Sequence, residues 1–561
     1  MATRHVDIIR ALLRREVGTI RKPDGSNLRV ALAFPNTYYV GMSNLGFQVV
    51  YRIFNEIPGT LCERVFLPEQ RDFEDLRRTT SSLVTMESQS PLREFDVLAF
   101  SVSYELDYFN IPRILSLGRI SELANDRGEE EPLIIAGGPA VTFNPEPLAP
   151  FVDVFVIGEG EEVIPEVVSV LRDGGERLHL LERLAQIQGI YVPRFYEPKY
   201  KRDGMIERVS VTADVPMPVR RRWVRDLDKY NPGNPIRTPD TEFSNMAIVE
   251  IARGCGRRCR FCVAGHVYLP PRKRSASSVL RCLEETPRAE RVGLLGASVF
   301  DHSEFMDICN SLLQHRRLFS VSSVRLDLLT EEIAEMLHRG GQQTITVAPE
   351  AGTERLRQII GKPLTDQQIF EGMSAAWNGG LRRIKMYFMV GLPTETEEDV
   401  KSIAQLARTI ASSFRWERLV VSVSCFVPKP WTPFQWVPME KERELSSKLA
   451  MIRRELKAEK NVRLTAESAR EAVVQGTLAR GDRRLHSVIG AVASGSRSWK
   501  NSISEAGLSV EFYAYRARER EEVFPWDHID QGIAKSHLLA ECDSALQAPD
   551  KERRKPSGST T

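Results

Sequence analysis

The sequence predicts an α/β protein: a doubly wound N-terminal domain of the flavodoxin or Rossmann type, then a partial (β/α)6 barrel of the TIM type, then a small helical C-terminal region. Short, continuous apolar runs alternate twice with amphipathic helical patterns, which is typical of parallel sheets that helices cover on both faces. The composition agrees, since 42% of the 561 residues are hydrophobic and 27% are charged, as in globular domains. A formal net charge of +2 argues neither for nor against a nucleic-acid partner.

The first alternation predicts the doubly wound domain over residues 27–170, after an amphipathic helix within residues 1–26. A helix is expected at 43–57, with Ser43 at its cap because a serine oxygen accepts a bond from the first turn. The connector, 171–243, carries three consecutive arginines, which are interpreted either as a solvated surface or as a contact for phosphate or RNA. The strands of the domain are predicted at 27–34, 95–102, 132–138 and 152–158.

The second alternation predicts the barrel over residues 244–440. Right-handed crossovers between its strands give either a partial barrel or an open sheet, with the site at the carboxyl ends of the strands. Residues 441–547 are expected to be helical and 548–561 to be disordered, since the tail is polar. The strands are predicted at 246–251, 291–296, 320–327, 344–350, 382–390 and 418–427.

A cytoplasmic protein without a membrane segment is expected. No apolar run approaches the ~18 residues of a membrane-spanning helix, and the N-terminus lacks the apolar core and cleavage site of a secretory signal. Eight cysteines in 561 residues are too sparse for a disulfide framework. Five of them lie scattered in or beside apolar segments and are interpreted as ordinary buried thiols: Cys62, Cys282, Cys309, Cys425 and Cys542.

The other three cysteines are clustered on the loop after the first barrel strand. Cys255, Cys259 and Cys262 have the spacing Cys-x3-Cys-x2-Cys, and soft thiolates bind zinc, copper(I) or iron–sulfur clusters. A structural zinc site is normally closed by four ligands in paired short spacings; a second pair is absent here, although His266 is a candidate fourth ligand. Three thiolates suit a [4Fe–4S] cluster with one iron left for a small chelator. The spacing favours the cluster and leaves zinc open.

This spacing, with an aromatic residue before the third cysteine, resembles that of the radical S-adenosylmethionine (SAM) superfamily. The resemblance covers about residues 244–440 and recurs at the ends of several barrel strands, in LLGASVFDH, VRLD, APEAGTERL, MVGLPTETEED and FVPKPWTPFQW. It implies a [4Fe–4S] cluster on the three cysteines and a SAM site at the strand ends. The residues that it assigns to SAM are Phe261, Gly296, Ser298, Arg325, Glu350, Gly391, Pro393 and Val427. The segment Gly296-Ala297-Ser298 departs from the commoner Gly-Gly-Glu of the family.

The resemblance also implies the chemistry. A reduced cluster donates an electron to the sulfonium of SAM, the C5′–S bond breaks to give methionine and a 5′-deoxyadenosyl radical, and this radical removes hydrogen from the substrate. The cofactors supply the reactive groups, so no catalytic residue of the chain is identified. A reductant such as flavodoxin or ferredoxin is implied as a partner, and RNA or protein are candidate substrates.

Residues 136–168 resemble the end of the cobalamin-binding domain that precedes many radical SAM barrels. Its glycines, Gly137, Gly138, Gly158 and Gly160, either let a ligand approach the backbone closely or only make tight turns. The cobalamin fingerprint Asp-x-His-x-x-Gly is absent, because its place is taken by FPNTYYVGMSNLG (34–46). Cobalamin therefore stays an open cofactor, and if it binds, its cobalt lacks that histidine. With the tail segments 480–484 and 525–532, the resemblance extends to an uncharacterised subgroup across nearly the whole chain.

Three functions compete. The leading hypothesis is a radical SAM enzyme that modifies an unactivated carbon, by methylation if cobalamin is present. A methylthiotransferase acting on RNA or a ribosomal protein is the second, but those relatives carry three further cysteines in their N-terminal domain, where this chain has only Cys62. A nucleic-acid-binding or assembly protein with a structural metal is the third, which the basic clusters at 220–225 and 272–274 permit.

Overall fold

The computed structural model describes residues 2–22, 25–79, 81–286 and 289–553. Two compact units are formed. The N-terminal unit consists of Met1–Ile248 with Leu478–Val510 and Glu521–Gly532, and the barrel unit consists of Val249–Thr477 with Glu511–Arg520 and Ile533–Thr561. The region 441–547 is thus divided between the units.

The N-terminal unit is built on a sheet with strand order β2-β1-β3-β4-β5-β6. Strands β1 to β5 are parallel, and β6 is antiparallel to β5. Helices on both faces bury these apolar strands, so the predicted doubly wound fold is confirmed. The strands are β1 (Leu28–Phe34), β2 (Thr60–Phe66), β3 (Val97–Ser101), β4 (Leu133–Gly137), β5 (Val154–Val156) and β6 (Ile190–Tyr191).

The helices of this unit begin and end close to the apolar patterns. The helix predicted at 43–57 runs over Leu45–Glu56, and Asn44 rather than Ser43 is its cap, since the Asn44 side chain accepts a bond from Phe47 N. The Ser43 hydroxyl instead donates to Tyr39 O at 2.6 Å. The helices are α1 (Ala2–Leu13), α2 (Tyr38–Met42), α3 (Leu45–Glu56), α4 (Gln70–Arg78), α5 (Asn110–Leu117), α6 (Pro139–Phe143), α7 (Gly160–Arg172), α8 (Arg177–Ala185), α17 (His486–Ala493) and α18 (Trp499–Glu505).

Strand β2 was missed by the sequence analysis because it contains Glu63 and Arg64. Both residues are buried, and Arg64 pairs with Glu16 and Glu87 at 2.7 Å each. Buried charged residues in a strand are tolerated when their partners come from elsewhere in the fold. Those partners lie far away in sequence, so no local pattern indicates the strand.

The connector is more regular than expected. β7 (Tyr196–Tyr200) and β8 (Ile206–Val211) form an antiparallel hairpin, and β9 (Val219–Arg220) pairs in parallel with β19 (Ile529–Asp530). Arg222 N donates to Ile157 O at 3.0 Å, and the Arg222 guanidinium pairs with Glu162 at 3.0 Å and Glu166 at 2.8 Å. The basic stretch therefore contains an arginine that holds the connector to α7.

The barrel unit contains a sheet of order β10-β13-β14 and a sheet of order β15-β16-β17-β18. A parallel bridge between Val324 and Val347 joins them, an arrangement consistent with a partial barrel. The predicted strand at 344–350 is confirmed, whereas the one at 320–327 ends earlier, at Val321. The strands are β10 (Ala247–Glu250), β11 (Ala252–Arg253), β12 (Arg272–Lys273), β13 (Arg291–Leu295), β14 (Leu318–Val321), β15 (Thr344–Glu350), β16 (Arg383–Val390), β17 (Arg418–Cys425) and β18 (Val462–Ala466).

Strand β18 lies in a segment that was predicted to be helical. It is a half-exposed edge strand beside β17, so it lacks the apolar run of a buried strand. The last helix reaches Arg553, into the tail predicted to be disordered, and residues 554–561 lie outside the described residues. No helix of the described chain is long and apolar enough to cross a membrane. The helices are α9 (Ala276–Glu284), α10 (Phe305–Gln314), α11 (Glu331–Arg339), α12 (Glu354–Ile359), α13 (Asp366–Asn378), α14 (Glu397–Ser413), α15 (Glu442–Leu456), α16 (Ala469–Ala479) and α19 (Lys535–Arg553).

A buried charge cluster ties the two tail segments to the N-terminal unit. Glu146 accepts bonds from Tyr191 Oη and from Arg483 Nε, the latter at 2.8 Å, and its Oε1 lies 3.7 Å from His528 Nε2. Burial by itself raises the pKa of Glu146, but Arg483 and His528 outweigh it and hold this pKa below its usual value. His528 also packs on the Tyr191 ring, 4.8 Å between centroids.

We expect His528 to make stability depend on pH. Burial lowers the pKa of His528 to about 4, whereas a histidine of the unfolded chain has a pKa of about 6.5. The unfolded state therefore binds a proton that the folded state does not, and the free energy of unfolding falls by up to about 3 kcal/mol as pH decreases between these values. His528→Phe keeps the ring packing and should flatten this dependence, measured by urea unfolding across that range. His179→Phe, at an exposed position, is the control and should leave the slope as in the wild type; an unchanged slope in His528→Phe would contradict the prediction.

Candidate metal and cofactor site

The three clustered cysteines lie on one loop at the carboxyl end of the first barrel strand. The cysteine loop, residues 254–266, is closed by bonds between its own backbone groups, from Cys255 N to Ala264 O at 3.2 Å and from Cys262 N to Cys259 O at 3.0 Å. All three cysteines are partly accessible, whereas the other five are buried, as the sequence predicts. The three loop cysteines are thus more exposed than the other five.

The thiols are electrostatic neighbours. Burial raises the pKa of Cys259 to about 12, the Cys255 and Cys262 thiols act in the same direction, and Lys362 opposes them. Burial likewise raises the pKa of Cys262 above its usual value. Cysteines ligate metals as thiolates, so loading of such a site releases protons from its thiols.

His266, the candidate fourth ligand, is used inside the loop. Its ring is buried, and its Nε2 lies at hydrogen-bond distance, 3.2 Å, from Cys259 O. Among the described residues, no three His, Cys, Asp or Glu side chains are placed to ligate one metal ion. A four-iron cluster instead gives each thiolate its own iron atom, so three accessible thiols on one loop fit such a cluster.

Ser298 is the predicted SAM residue with the clearest sign of a ligand. It follows β13, is 9% exposed, and its hydroxyl has no hydrogen-bond partner within the described part of the chain. A buried polar group of this kind normally has a partner, so the hydroxyl is suited to contact a bound molecule. Phe261, on the cysteine loop, and Gly296, beside Ser298, are both half-buried.

Arg325 lies in a charge network that joins strand ends. Its Nη1 is 2.8 Å from Asp301 Oδ1, and its Nε donates to Asp327 Oδ1 at 3.0 Å. Asp301 Oδ1 also accepts from Arg257 Nη2 of the cysteine loop at 2.9 Å. Asp301 thus connects the loop to the end of β14; the sequence analysis quoted the motif that contains it, LLGASVFDH, without assigning the residue a role.

Glu350 ends β15 in a strained conformation. The pairing of β15 with β16 shifts register between Val347 and Glu350, and Glu350 has a φ of 70°, which costs a non-glycine residue about 1 kcal/mol. Burial raises the pKa of Glu350, although Lys362, 3.1 Å away, opposes this. Glu350 also contributes to raising the pKa of Cys259, after burial and the other two thiols.

The ends of β16 and β17 are held by a second buried network. Gly391 N donates to Glu395 Oε2 at 2.7 Å, and Lys448 pairs with both Glu395 and Glu440 at 2.7 Å. Burial raises the pKa of Glu395, although Lys448 opposes this. The sequence analysis quoted the motif that contains Glu395 without assigning the residue a role, and it missed Lys448. Nearby, Val427 is buried and Pro393 is half-buried.

The four glycines of the N-terminal unit lie at the carboxyl edge of its sheet. A Cβ on Gly158 (φ 116°) would lie 2.0 Å from Arg222 O, and one on Gly138 would lie 2.6 Å from Val102 O. These two glycines therefore let the backbone at Arg222 and at Val102 approach them closely. All four, Gly137 and Gly160 included, are still partly accessible, so the same edge remains open to a ligand.

Two family profiles match the chain. The profile described as radical SAM proteins, N-terminal, matches residues 46–193, and that of the radical SAM superfamily matches residues 249–407. An uncharacterised protein of Methanocaldococcus jannaschii is 30% identical over 81% of this chain and 89% of its own length. An uncharacterised methyltransferase of Pyrococcus horikoshii is 26% identical over 50% of this chain and 59% of its own length.

Among solved structures, the cobalamin-dependent SAM radical enzyme OxsB with aqua-cobalamin bound is similar, with a TM-score of 0.48 and 14% sequence identity. The match covers 68% of this chain, which spans 52% of the length of that enzyme.

Replacement of the loop cysteines separates ligands from ordinary thiols. Cys255→Ala, Cys259→Ala and Cys262→Ala should each lose most of the iron that the wild type takes up, because each removes one of three protein donors. Cys309→Ala, at a buried helix position, should leave the iron content unchanged. Iron and sulfide per chain are measured after anaerobic reconstitution. Wild-type iron in any loop variant would remove that cysteine from the ligand set.

Proposed function

The chain belongs to the radical SAM superfamily, and from this premise we propose that it binds a [4Fe–4S] cluster on Cys255, Cys259 and Cys262 and uses SAM to modify an unactivated carbon of its substrate. The observation that carries the proposal is the cysteine loop, whose three accessible thiols lie at the carboxyl end of a barrel strand. The unpartnered hydroxyl of Ser298, at the end of another strand of the same sheet, supports a ligand at this edge.

The bound cluster and SAM supply one-electron reductive cleavage and hydrogen-atom abstraction, which side chains cannot perform. The chain's own residues bind and orient. Ser298 offers a hydroxyl to the ligand, the Asp301 network holds the cysteine loop to the end of β14, and Lys362 places a positive charge beside Glu350 and Cys259. Glu395 fixes the turn at Gly391 through its backbone N–H.

The reductant is proposed to be a small acidic protein such as flavodoxin or ferredoxin. Arg257, Arg258 and Lys273 are exposed on or beside the cysteine loop. Opposite charge steers such partners to a site and accelerates their encounter. Within the basic cluster at 272–274, Lys273 alone is exposed, because Arg272 and Arg274 are buried and Arg274 pairs with Glu250 at 3.0 Å.

The methylthiotransferase alternative is weakened by the N-terminal unit. Residues 1–248 contain Cys62 and no other cysteine, and Cys62 is fully buried in β2. A second cluster in this unit would lack its ligands. RNA and protein both remain candidate substrates for the proposed reaction.

Reductive cleavage of SAM tests the proposal directly. The anaerobically reconstituted, chemically reduced protein should convert SAM to methionine and 5′-deoxyadenosine, measured by liquid chromatography. Ser298→Ala should retain the cluster and raise the KM for SAM by about tenfold, the effect of losing one buried hydrogen bond. Ser496→Ala, which removes an exposed hydroxyl, is the matched control. A cluster-loaded protein that cleaves no SAM would refute the proposed function.

Methylation with cobalamin as a second cofactor is the finer candidate, and the crevice of the N-terminal sheet favours it. Strand order reverses between β1 and β3, and ligands of such sheets bind where it reverses. Apolar side chains are exposed after both strands: Tyr39 at 48%, Val40 at 41% and Tyr104 at 42%. Residues 27–170 contain no histidine, so a corrin held there would lack an imidazole ligand from this domain.

Titration with hydroxocobalamin tests this candidate. We expect saturation at one cobalamin per chain, with an absorption spectrum that lacks histidine coordination. Tyr104→Ala should weaken binding by about tenfold because it removes apolar contact area, whereas Leu178→Ala, at 49% exposure on α8, should not. If no cobalamin binds, methylation with cobalamin is refuted, whereas the proposed radical SAM reaction is unaffected.

A further inference from the structure

Arg260 lies between two of the cysteine ligands and fastens the cysteine loop to a neighbouring helix. Its backbone N–H donates to Ile360 O at 2.9 Å, and its Nη1 donates to Ile359 O at 2.8 Å and to Gln358 O at 3.3 Å. These carbonyls belong to the end of α12, where a helix leaves its oxygens without intrahelical partners. Arg260 therefore caps α12 from a distant segment, at the end of the helix dipole that favours a cation.

The turn after α12 is shaped to receive the loop. Gly361 has a φ of 71°, and a Cβ there would lie 3.3 Å from Arg260 Cγ and 3.6 Å from Arg258 O. Only glycine combines this conformation with such a close approach at little cost. The next residue, Lys362, pairs with Glu350 at 3.1 Å. The turn that receives Arg260 thus also carries a cation that lowers the pKa of Cys259.

The other side of the Arg260 guanidinium is held by the C-terminal helix. Glu541 Oε2 of α19 lies 3.1 Å from Arg260 Nε and 3.0 Å from Arg260 Nη2. The Arg260 side chain is 16% exposed and the Glu541 side chain 41%, so solvent reaches the pair from the Glu541 carboxylate and screens it in part. The helix itself is anchored by a buried face at helical spacing, Leu538, Cys542 and Ala545. Glu541 therefore lies on a helix whose position does not depend on the pair.

We propose that Arg260 and Glu541 form a clamp through which helix α19 fixes the cysteine loop and determines how firmly the loop holds its metal cluster. Arg260 is a positioning residue, because it acts on the cluster through the backbone on either side of it. The proposal rests on the proposed function in so far as the loop carries a cluster. It adds a role for the last helix of the chain, which lies outside the span of the family profiles.

The clamp adds to the pair of Arg257 with Asp301, which holds the loop at a second point. Gly256, Arg257 and Arg258 are exposed, and a loop without a buried apolar face loses conformational entropy without a compensating core. A guanidinium suits the task better than an ammonium, since its planar fork donates to the carbonyls of α12 and to Glu541 at once. A lysine in its place would reach only part of this set.

The clamp is tested in the full-length, anaerobically reconstituted protein, by the rate of iron loss to a ferrous chelator and by the EPR spectrum of the reduced cluster. Arg260→Gln should lose iron about tenfold faster and Glu541→Gln about threefold faster, as for lost charge-assisted hydrogen bonds. Arg260→Lys should fall between the wild type and Arg260→Gln. Glu417→Gln, which breaks an exposed pair with Arg383 of 3.0 Å, is the matched control and should behave as the wild type.

A double variant and the cluster-free protein decide whether the two residues act together. Arg260→Gln/Glu541→Gln should lose iron no faster than Arg260→Gln alone, because Glu541 acts through Arg260. Hydrogen exchange of the cluster-free variants should increase over residues 254–266 and stay unchanged over α14. Wild-type iron loss in both single variants, fully additive effects in the double variant, or unchanged exchange of the loop would each overturn the clamp. If the wild type takes up no cluster, the proposed function fails, and the hydrogen exchange still decides the clamp.

Discussion

The geometry of the candidate site depends on the bonds that Arg260 donates to the carboxyl end of α12. Much of the cysteine loop is exposed, from Gly256 to Arg258, so a hydrophobic core alone does not fix its position. Hydrogen bonds to a helix can fix the position of the loop instead. They cost little free energy to form, because the last carbonyls of a helix have no intrahelical donors. The left-handed turn at Gly361 brings loop and helix into contact. The side-chain and backbone hydrogen bonds of Arg260 then hold Cys259 and Cys262, which lie on either side of it.

Charge pairs repeat this arrangement around the carboxyl edge of the barrel sheets. Asp301 joins the cysteine loop to the end of β14, Lys362 joins the turn after α12 to Glu350, and Lys448 joins α15 to Glu395. Parallel strands present all their carboxyl ends at one edge, so loops from distant parts of the chain meet there. Pairs at this depth contribute little net stability, but they specify which loop lies beside which. A site for a small charged ligand depends more on the correct placement of its loops than on added stability of the fold.

In the N-terminal unit, buried charges likewise join segments that are distant in sequence. Its sheet is covered at the ends of β4 and β5 by tail segments from the far end of the chain, and Glu146, Arg483 and His528 meet there in a cluster that excludes water. The connector strand pairs with β19 and closes against Gly158. Between β1 and β3, where the strand order reverses, Tyr104 is exposed, and the glycines after β4 and β5 are partly accessible. The carboxyl edge of this sheet is therefore covered only in part.

The sequence by itself determined the two α/β alternations, the parallel strands with continuous apolar runs and the spacing of the three cysteines, because each is a local pattern that periodicity or short spacing reveals. About the site it predicted the cysteine loop and the strand ends that surround it, but not the residues that hold them. Strand β2, with Arg64 in its centre, and the partners of Arg260 and Arg325 were decided only by the tertiary structure. A buried charge is stable only beside its counter-charge, and for Arg64 and Arg260 that counter-charge comes from a segment tens or hundreds of residues away. The secondary-structure propensity of a segment does not depend on a distant charge partner, so only the folded structure reveals that partner.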